Sequence, residues 1–133
     1  METKFNAILM TVGGILGYLV GGLDSLFAVF ATVLVIDTLT GMLKAWNLGE
    51  YNSSKFRSGL AKKTGYLFAV FLSVQLDILT GNTGALRTAL ILTFTANESL
   101  SVVENLGALG IPFPDSIMNA IEILKNKNDT KNK

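Results

Sequence analysis

The sequence has no cysteine and no histidine, two prolines among 133 residues, and charges on 16% of its positions. Without cysteine there is no disulfide scaffold and no thiolate metal site. Without histidine the commonest general base and metal ligand is missing. The net charge of +1 gives no overall field toward nucleic acid, and no segment alternates basic and aromatic residues as a stacking platform for bases. No glycine-rich phosphate loop precedes a Lys-Ser or Lys-Thr pair, and no serine nucleophile motif occurs. The residues therefore call for no catalytic group, no metal and no cofactor. What the chain has is apolar residues at half its positions, 13 glycines and a mean hydropathy of +0.47. That composition, over a length that suits one domain, points to an all-α integral membrane protein.

Residues Phe5 to Leu23 run for 19 positions without a charge, close to the roughly 20 needed to cross a bilayer. A cleaved signal peptide fits poorly, because Glu2 offsets Lys4 and no small-x-small cleavage site follows. Gly13, Gly17 and Gly21 recur every fourth residue, a row that lets helix backbones approach closely in lipid. It serves either self-association or packing within one subunit. A second apolar run, about 26–46, contains Asp37 and ends near Trp46 and Tyr51, whose rings suit the membrane interface. A third, about 62–80, contains Asp77. Its Leu67-Phe68-Ala69-Val70-Phe71 repeats residues 26–30, and Asp77-Ile78-Leu79-Thr80-Gly81 echoes Asp37-Thr38-Leu39-Thr40-Gly41. The echo is either an inverted duplication or chance in apolar sequence.

Between these runs lies a polar stretch, residues 47–63, with Lys55, Arg57, Lys62 and Lys63 around Phe56 and Leu60. Ser53 or Ser54 can cap a short helix there. The stretch reads as a basic amphipathic connector on the membrane surface, or as an ordinary solvated connector. A fourth helix is expected over about 84–107 and a short amphipathic helix over 115–124, after the break at Gly110 and Pro112-Phe113-Pro114. Residues 125–133 read as a charged, disordered tail. Residues 1–124 then form a single helical membrane domain.

The fourth helix carries the organising feature. Glu98, Ser101 and Asn105 fall at i, i+3 and i+7, on one face. Asn97, Ser101 and Glu104 form a neighbouring strip, with Leu100, Val103 and Leu106 opposite. A polar strip near lipid must face protein or water, because uncompensated polar groups in hydrocarbon cost several kcal/mol each. Four acids thus sit inside apolar segments: Asp37, Asp77, Glu98 and Glu104. Each is a functional candidate by depth. The structural alternative puts Asp37 and Asp77 in wet interfacial positions, and pairs Glu98 and Glu104 with Asn97, Asn105 or Arg87. Basic residues set the topology: five from Lys44 to Lys63 and four lysines in the tail put the connector and C-terminus, and with four crossings the N-terminus, in the cytoplasm. Three crossings are the alternative, the fourth helix being the weakest span.

The arrangement resembles the small holins of the toxin-secretion and phage-lysis type, found in phages and prophages of Gram-positive bacteria. The resemblance runs from Gly21 to Leu124. It is carried by Gly22-Leu23-Asp24, Asp37 with Gly41, Gly59 with Lys62-Lys63, Asn97-Glu98 with Ser101 and Glu104-Asn105, and Gly110-Ile111-Pro112 with Pro114. Leu23 and Thr38 stand where such proteins often have an aromatic residue.

The resemblance implies a non-enzymatic protein of the host cytoplasmic membrane. It would homo-oligomerise and open lesions that release an endolysin, or in some relatives a toxin, without necessarily touching either. A small accessory or scaffold subunit of a transporter or channel is the competing reading. An accessory subunit would need a partner to assemble, whereas a holin would assemble alone. A membrane enzyme is disfavoured by the missing histidine, cysteine and nucleophile motif.

Overall fold

A computed structural model describes residues 1–129. They form five α-helices: α1 (Glu2–Leu19), α2 (Ser25–Leu48), α3 (Ser53–Thr80), α4 (Ala85–Ala108) and α5 (Asp115–Asp129). No strand occurs among the described residues.

Local chemistry sets the ends. The Asp24 carboxylate accepts the Phe27 amide at 2.9 Å and starts α2. Asn52 does the same for α3, its Oδ1 accepting from Ser54 and Lys55 amides at 2.9 and 3.2 Å. The cap is thus Asn52, and neither Ser53 nor Ser54. Glycines in the left-handed conformation end α2 and α3, Gly49 at φ +66° and Gly81 at φ +70°. Each is followed by an amide that reaches back to the last turn, Glu50 to Ala45 and Asn82 to Asp77, both at 2.9 Å.

These caps change the expected organisation. The polar stretch 47–63 is not a separate connector. The link is only Gly49–Asn52, and Lys55, Arg57, Lys62 and Lys63 lie within the first eleven positions of α3, which begins at Ser53 and not near 62. At the other end α5 continues to Asp129, so residues 125–129 are helical where a disordered tail was expected. The last four tail residues, 130–133, lie outside the described part.

α4 is the centre. α2, α3 and α5 all pack against it, while α2 and α3 barely touch. α2 and α4 run parallel and α3 antiparallel to both. The apolar core joins Phe30 and Leu34 of α2, Val70 of α3 and Ile91 of α4. Beside it the Tyr66 and Phe94 rings stack with centroids 4.1 Å apart. Ile121 anchors α5. The repeated pentapeptide is not used equivalently: Phe30 is buried and Val29 exposed in α2, whereas in α3 it is Val70, matching Val29, that is buried.

α1 stands apart. None of its residues is buried, and Met10 is 79% exposed. It stops at Leu19, so Gly21 is not part of the helical glycine row expected. Gly21 instead has φ +77°, and the Arg87 side chain lies 2.8 Å from where its Cβ would be. Gly13 has nothing within 4 Å of that position, so it packs against nothing in its own chain.

The outer faces of α2 and α3 expose large apolar side chains, among them Val35, Leu39, Leu43, Phe68, Leu72 and Leu79. The α2 threonines return their hydroxyls to carbonyls one turn back, Thr32 to Ala28, Thr38 to Leu34 and Thr40 to Ile36, at 2.8–2.9 Å, so each hydroxyl is paired within its own helix. Among the described residues one helix, Ser25–Leu48, is long and apolar enough to cross a membrane, against the three or four crossings expected. The others are diluted by polar residues: α1 takes in Glu2, Lys4 and Asn6, α3 opens with four cations, and α4 carries its polar strip.

Candidate functional site

Two polar layers hold α4 to its neighbours. The first is at its N-terminus. α4 starts after Gly84, which has no side chain to cap it. Asp77, at the end of α3, supplies the cap from outside: its two oxygens accept the Leu86 and Arg87 amides, each at 3.0 Å. A carboxylate here also offsets the positive end of the helix dipole. Asp77 is therefore buried and structural, not wet.

The Arg87 side chain turns back across the α1–α2 turn. Its guanidinium forms a two-point fork with Asp24, both contacts at 2.9 Å. It also donates to the Gly22 carbonyl at 3.0 Å and, through Nε, to the Val20 carbonyl. The Arg87 guanidinium beside Asp24 holds that carboxyl below the usual carboxylate range. Arg87 thus serves Asp24, not Glu98 or Glu104.

The second layer lies about three turns further along α4. Lys63 of α3 places its ammonium 2.6 Å from Asp37 Oδ2 on α2 and 2.6 Å from Glu98 Oε2 on α4. Asn105 donates to Asp37 Oδ1 at 3.1 Å and to the Thr40 hydroxyl at 3.2 Å. Lys62, mostly exposed, stands 3.4 Å from Glu98 Oε1 and 5.4 Å from the centroid of the Tyr66 ring. The Glu98 side chain is 2% exposed and that of Lys63 15%. Two carboxylates and two ammoniums balance, and Lys63 ties three helices at one point. Charges this buried are tolerable only as a paired, hydrogen-bonded set.

The expected polar strip therefore divides. Glu98, Ser101 and Asn105 face inward, while Asn97 and Glu104 are exposed. Lys55 and Arg57 are exposed, but Lys63, expected at the lipid interface, is drawn inward as the bridge. Two residues escaped the sequence reading. Arg87 is legible only as a possible partner of Glu98 or Glu104 and not of Asp24, and Lys63 only as one of a basic group. A glycine opening a helix with no cap of its own was a signal that another chain segment must supply one. The network can carry load between helices. It holds no nucleophile with a base, and no group of three or more acids that could hold a metal occurs among the described residues.

Comparison with known proteins decides the family. A model described as the bacteriophage holin family matches residues 14–126. The chain belongs to this holin family. The match takes in both polar layers and leaves out the first two-thirds of α1. A protein of Bacillus phage phi105 named "Probable holin" is 32% identical over 97 residues, 73% of this chain and 72% of that one. An uncharacterised protein of Listeria monocytogenes is 34% identical over 127 residues, 96% of this holin-family chain and 91% of its own. A 14.9 kDa Clostridium perfringens protein encoded 3′ of nagH is 30% identical over 131 residues, 96% and 99% of the two chains. No solved structure matches. Family membership implies a membrane protein.

Proposed function

We propose that the chain oligomerises in the cytoplasmic membrane of a bacterial host and opens lesions through which an endolysin, or a toxin, leaves the cell. The role is non-enzymatic. Holin-family membership and the phage relative's name support it. Three or four of helices α1–α4 cross the bilayer, within one membrane domain over residues 1–124. With four crossings both termini and the Gly49–Asn52 link are cytoplasmic, the side on which Lys44, Lys55, Arg57 and the tail lysines collect.

The single observation that carries the mechanism is the Lys63 bridge. In the monomer it neutralises Asp37 and Glu98 and keeps the Glu98, Ser101 and Asn105 face of α4 away from lipid. An isolated monomer in a membrane has nowhere better to turn that face. When subunits gather, water between them offers the same residues an alternative partner, and the polar face of α4 turns to line the lesion. Coupling to endolysin is through the hole and needs no direct contact.

The test is inducible expression in a host carrying a cytoplasmic endolysin, following membrane potential and culture density together. Abrupt depolarisation followed by endolysin-dependent lysis is expected. Depolarisation without lysis contradicts lesions of protein size. Continued growth with the protein in the membrane points instead to an accessory subunit. Glu98→Leu is expected to abolish permeabilisation while leaving insertion intact.

A further inference from the structure

The apolar faces of α2 and α3 enclose a cleft, because both helices pack on α4 and not on each other. At the α2–α3 turn the cleft opens into a cavity of about 310 Å³ lined by Lys44, Tyr51, Lys55 and Ser101 among others. Toward the centre it continues as an apolar groove of about 290 Å³, lined by Leu34, Val35, Leu39, Leu60 and Leu67. The two spaces adjoin along Thr38, Leu60 and Lys63, with lysines at the first and almost wholly apolar side chains at the second. Together they reach the size range of sites that take small ligands, about 300–1,000 Å³.

The charges at the polar end are unbalanced. Lys44, Lys55 and Lys63 face Asp37 and Glu50 there, one positive charge in excess. Lys63 is committed to Asp37 and Glu98. No described carboxylate lies within ion-pair distance of Lys44 or Lys55, since the ion pairs of the described residues involve neither. Tyr51, which lines the cavity, and Trp46, next after Ala45 in the sequence, are both exposed and suit the headgroup level of a bilayer.

We propose that this cleft binds one anionic glycerophospholipid. Its phosphate sits between Lys44 and Lys55, and one acyl chain runs along Val35, Leu39, Leu60 and Leu67. The excess of one positive charge matches a single phosphodiester. The groove removes the chain from competition with bulk lipid, and the lipid fills a gap that α2 and α3 leave open. The inference rests on α2 spanning the bilayer. It does not depend on lesion formation: a chain that binds the lipid but never permeabilises sinks only the lesion reading, and one that permeabilises without the lipid sinks only this one.

The test is native mass spectrometry of the full chain in detergent micelles with phosphatidylglycerol, phosphatidylcholine or the soluble headgroup glycerophosphoglycerol. One phosphatidylglycerol is expected to be retained over phosphatidylcholine. Each interfacial lysine is worth about fivefold in affinity for an anionic lipid, so Lys44→Gln with Lys55→Gln should weaken retention on the order of 25-fold. Equal retention of phosphatidylcholine, or an unchanged double variant, overturns the proposal. So does glycerophosphoglycerol binding as well as the lipid, which would mean a phosphate site without the groove. A diazirine on the acyl chain of phosphatidylglycerol gives a readout independent of the variants. Crosslinks in the wild-type chain should concentrate on 34–39 and 60–67; an even spread over α1 and the outer face of α2 indicates ordinary annular lipid and overturns the assignment.

Discussion

Lys63 donates to Glu98 across the α3–α4 interface at 2.6 Å, and the same ammonium reaches Asp37 on α2 at an equal distance. One cation therefore answers two acids from two different helices. The arrangement is asymmetric in what its removal leaves behind, and that asymmetry is measurable. Lys63→Met leaves two buried carboxylates facing each other with only the more exposed Lys62 near one of them. Glu98→Leu leaves the neutral Lys63–Asp37 pair. Removing one partner of a buried ion pair typically costs about 3–5 kcal/mol. Denaturant titration in micelles is expected to show a loss of that order for Lys63→Met and a clearly smaller one for Glu98→Leu. Equal losses would mean that Lys63 does not bridge.

The Asp24–Arg87 fork predicts a pH dependence. Arg87 lowers the Asp24 pKa in the folded chain. A depressed carboxylate contributes stability that is present above its unfolded pKa, near about 3.9, and is lost as pH falls through the lower folded value. Asp24→Asn lacks this contribution at any pH. The unfolding midpoints of wild type and Asp24→Asn should therefore differ at pH 6 and converge as the pH is lowered below 4. The gap stays modest, because the Asp24 side chain is about half exposed.

Asp77 predicts a stability effect localised to α4. Asp77→Ala removes the side chain that caps the Leu86 and Arg87 amides, and loss of an N-cap costs about 0.5–2 kcal/mol. Amide hydrogen exchange should quicken at residues 86–88 and leave the first turn of α3 unchanged. Uniform quickening along the chain would contradict a capping role.

The glycines separate by surroundings. Gly21→Ala forces a side chain into φ +77° and against Arg87, so it is expected to disturb the Asp24–Arg87 layer and lower thermal stability. At Gly13 nothing of the chain lies within 4 Å of an added Cβ, so Gly13→Leu starts into open space. It is expected to leave the monomer's helicity unchanged and to reduce crosslinked oligomers, because a bulky residue prevents close approach of a second α1. Unchanged oligomers would remove α1 from the assembly surface.

Much of the helical layout was legible because glycine, proline and polar breaks punctuate long apolar runs. The start of α3 was not, because the decisive residue is Asn52, one position before the two serines that also make good caps. The inward face of α4 was legible from spacing, since Glu98, Ser101 and Asn105 share one side of any helix. Its partners were not. Lys63 sits in a basic group that looks alike in sequence, and only its position opposite Asp37 and Glu98 on the antiparallel α3 distinguishes it from Lys55 or Arg57. The roles of Asp37 and Asp77 were equally hidden. Similar surrounding sequence suggested similar duties, yet one pairs with a lysine and the other caps a helix.

The central claim is that the Glu98 face of α4 is buried before lysis and meets water when the lesion opens. Thr95 lies one turn before Glu98 on that face and is buried, and the chain contains no cysteine, so Thr95→Cys introduces a unique thiol. Induced cells are exposed to a membrane-impermeant maleimide before depolarisation and again at its onset. Protection before and rapid labelling at onset is the predicted result. Equal labelling at both times, or protection throughout a completed lysis, would contradict the account.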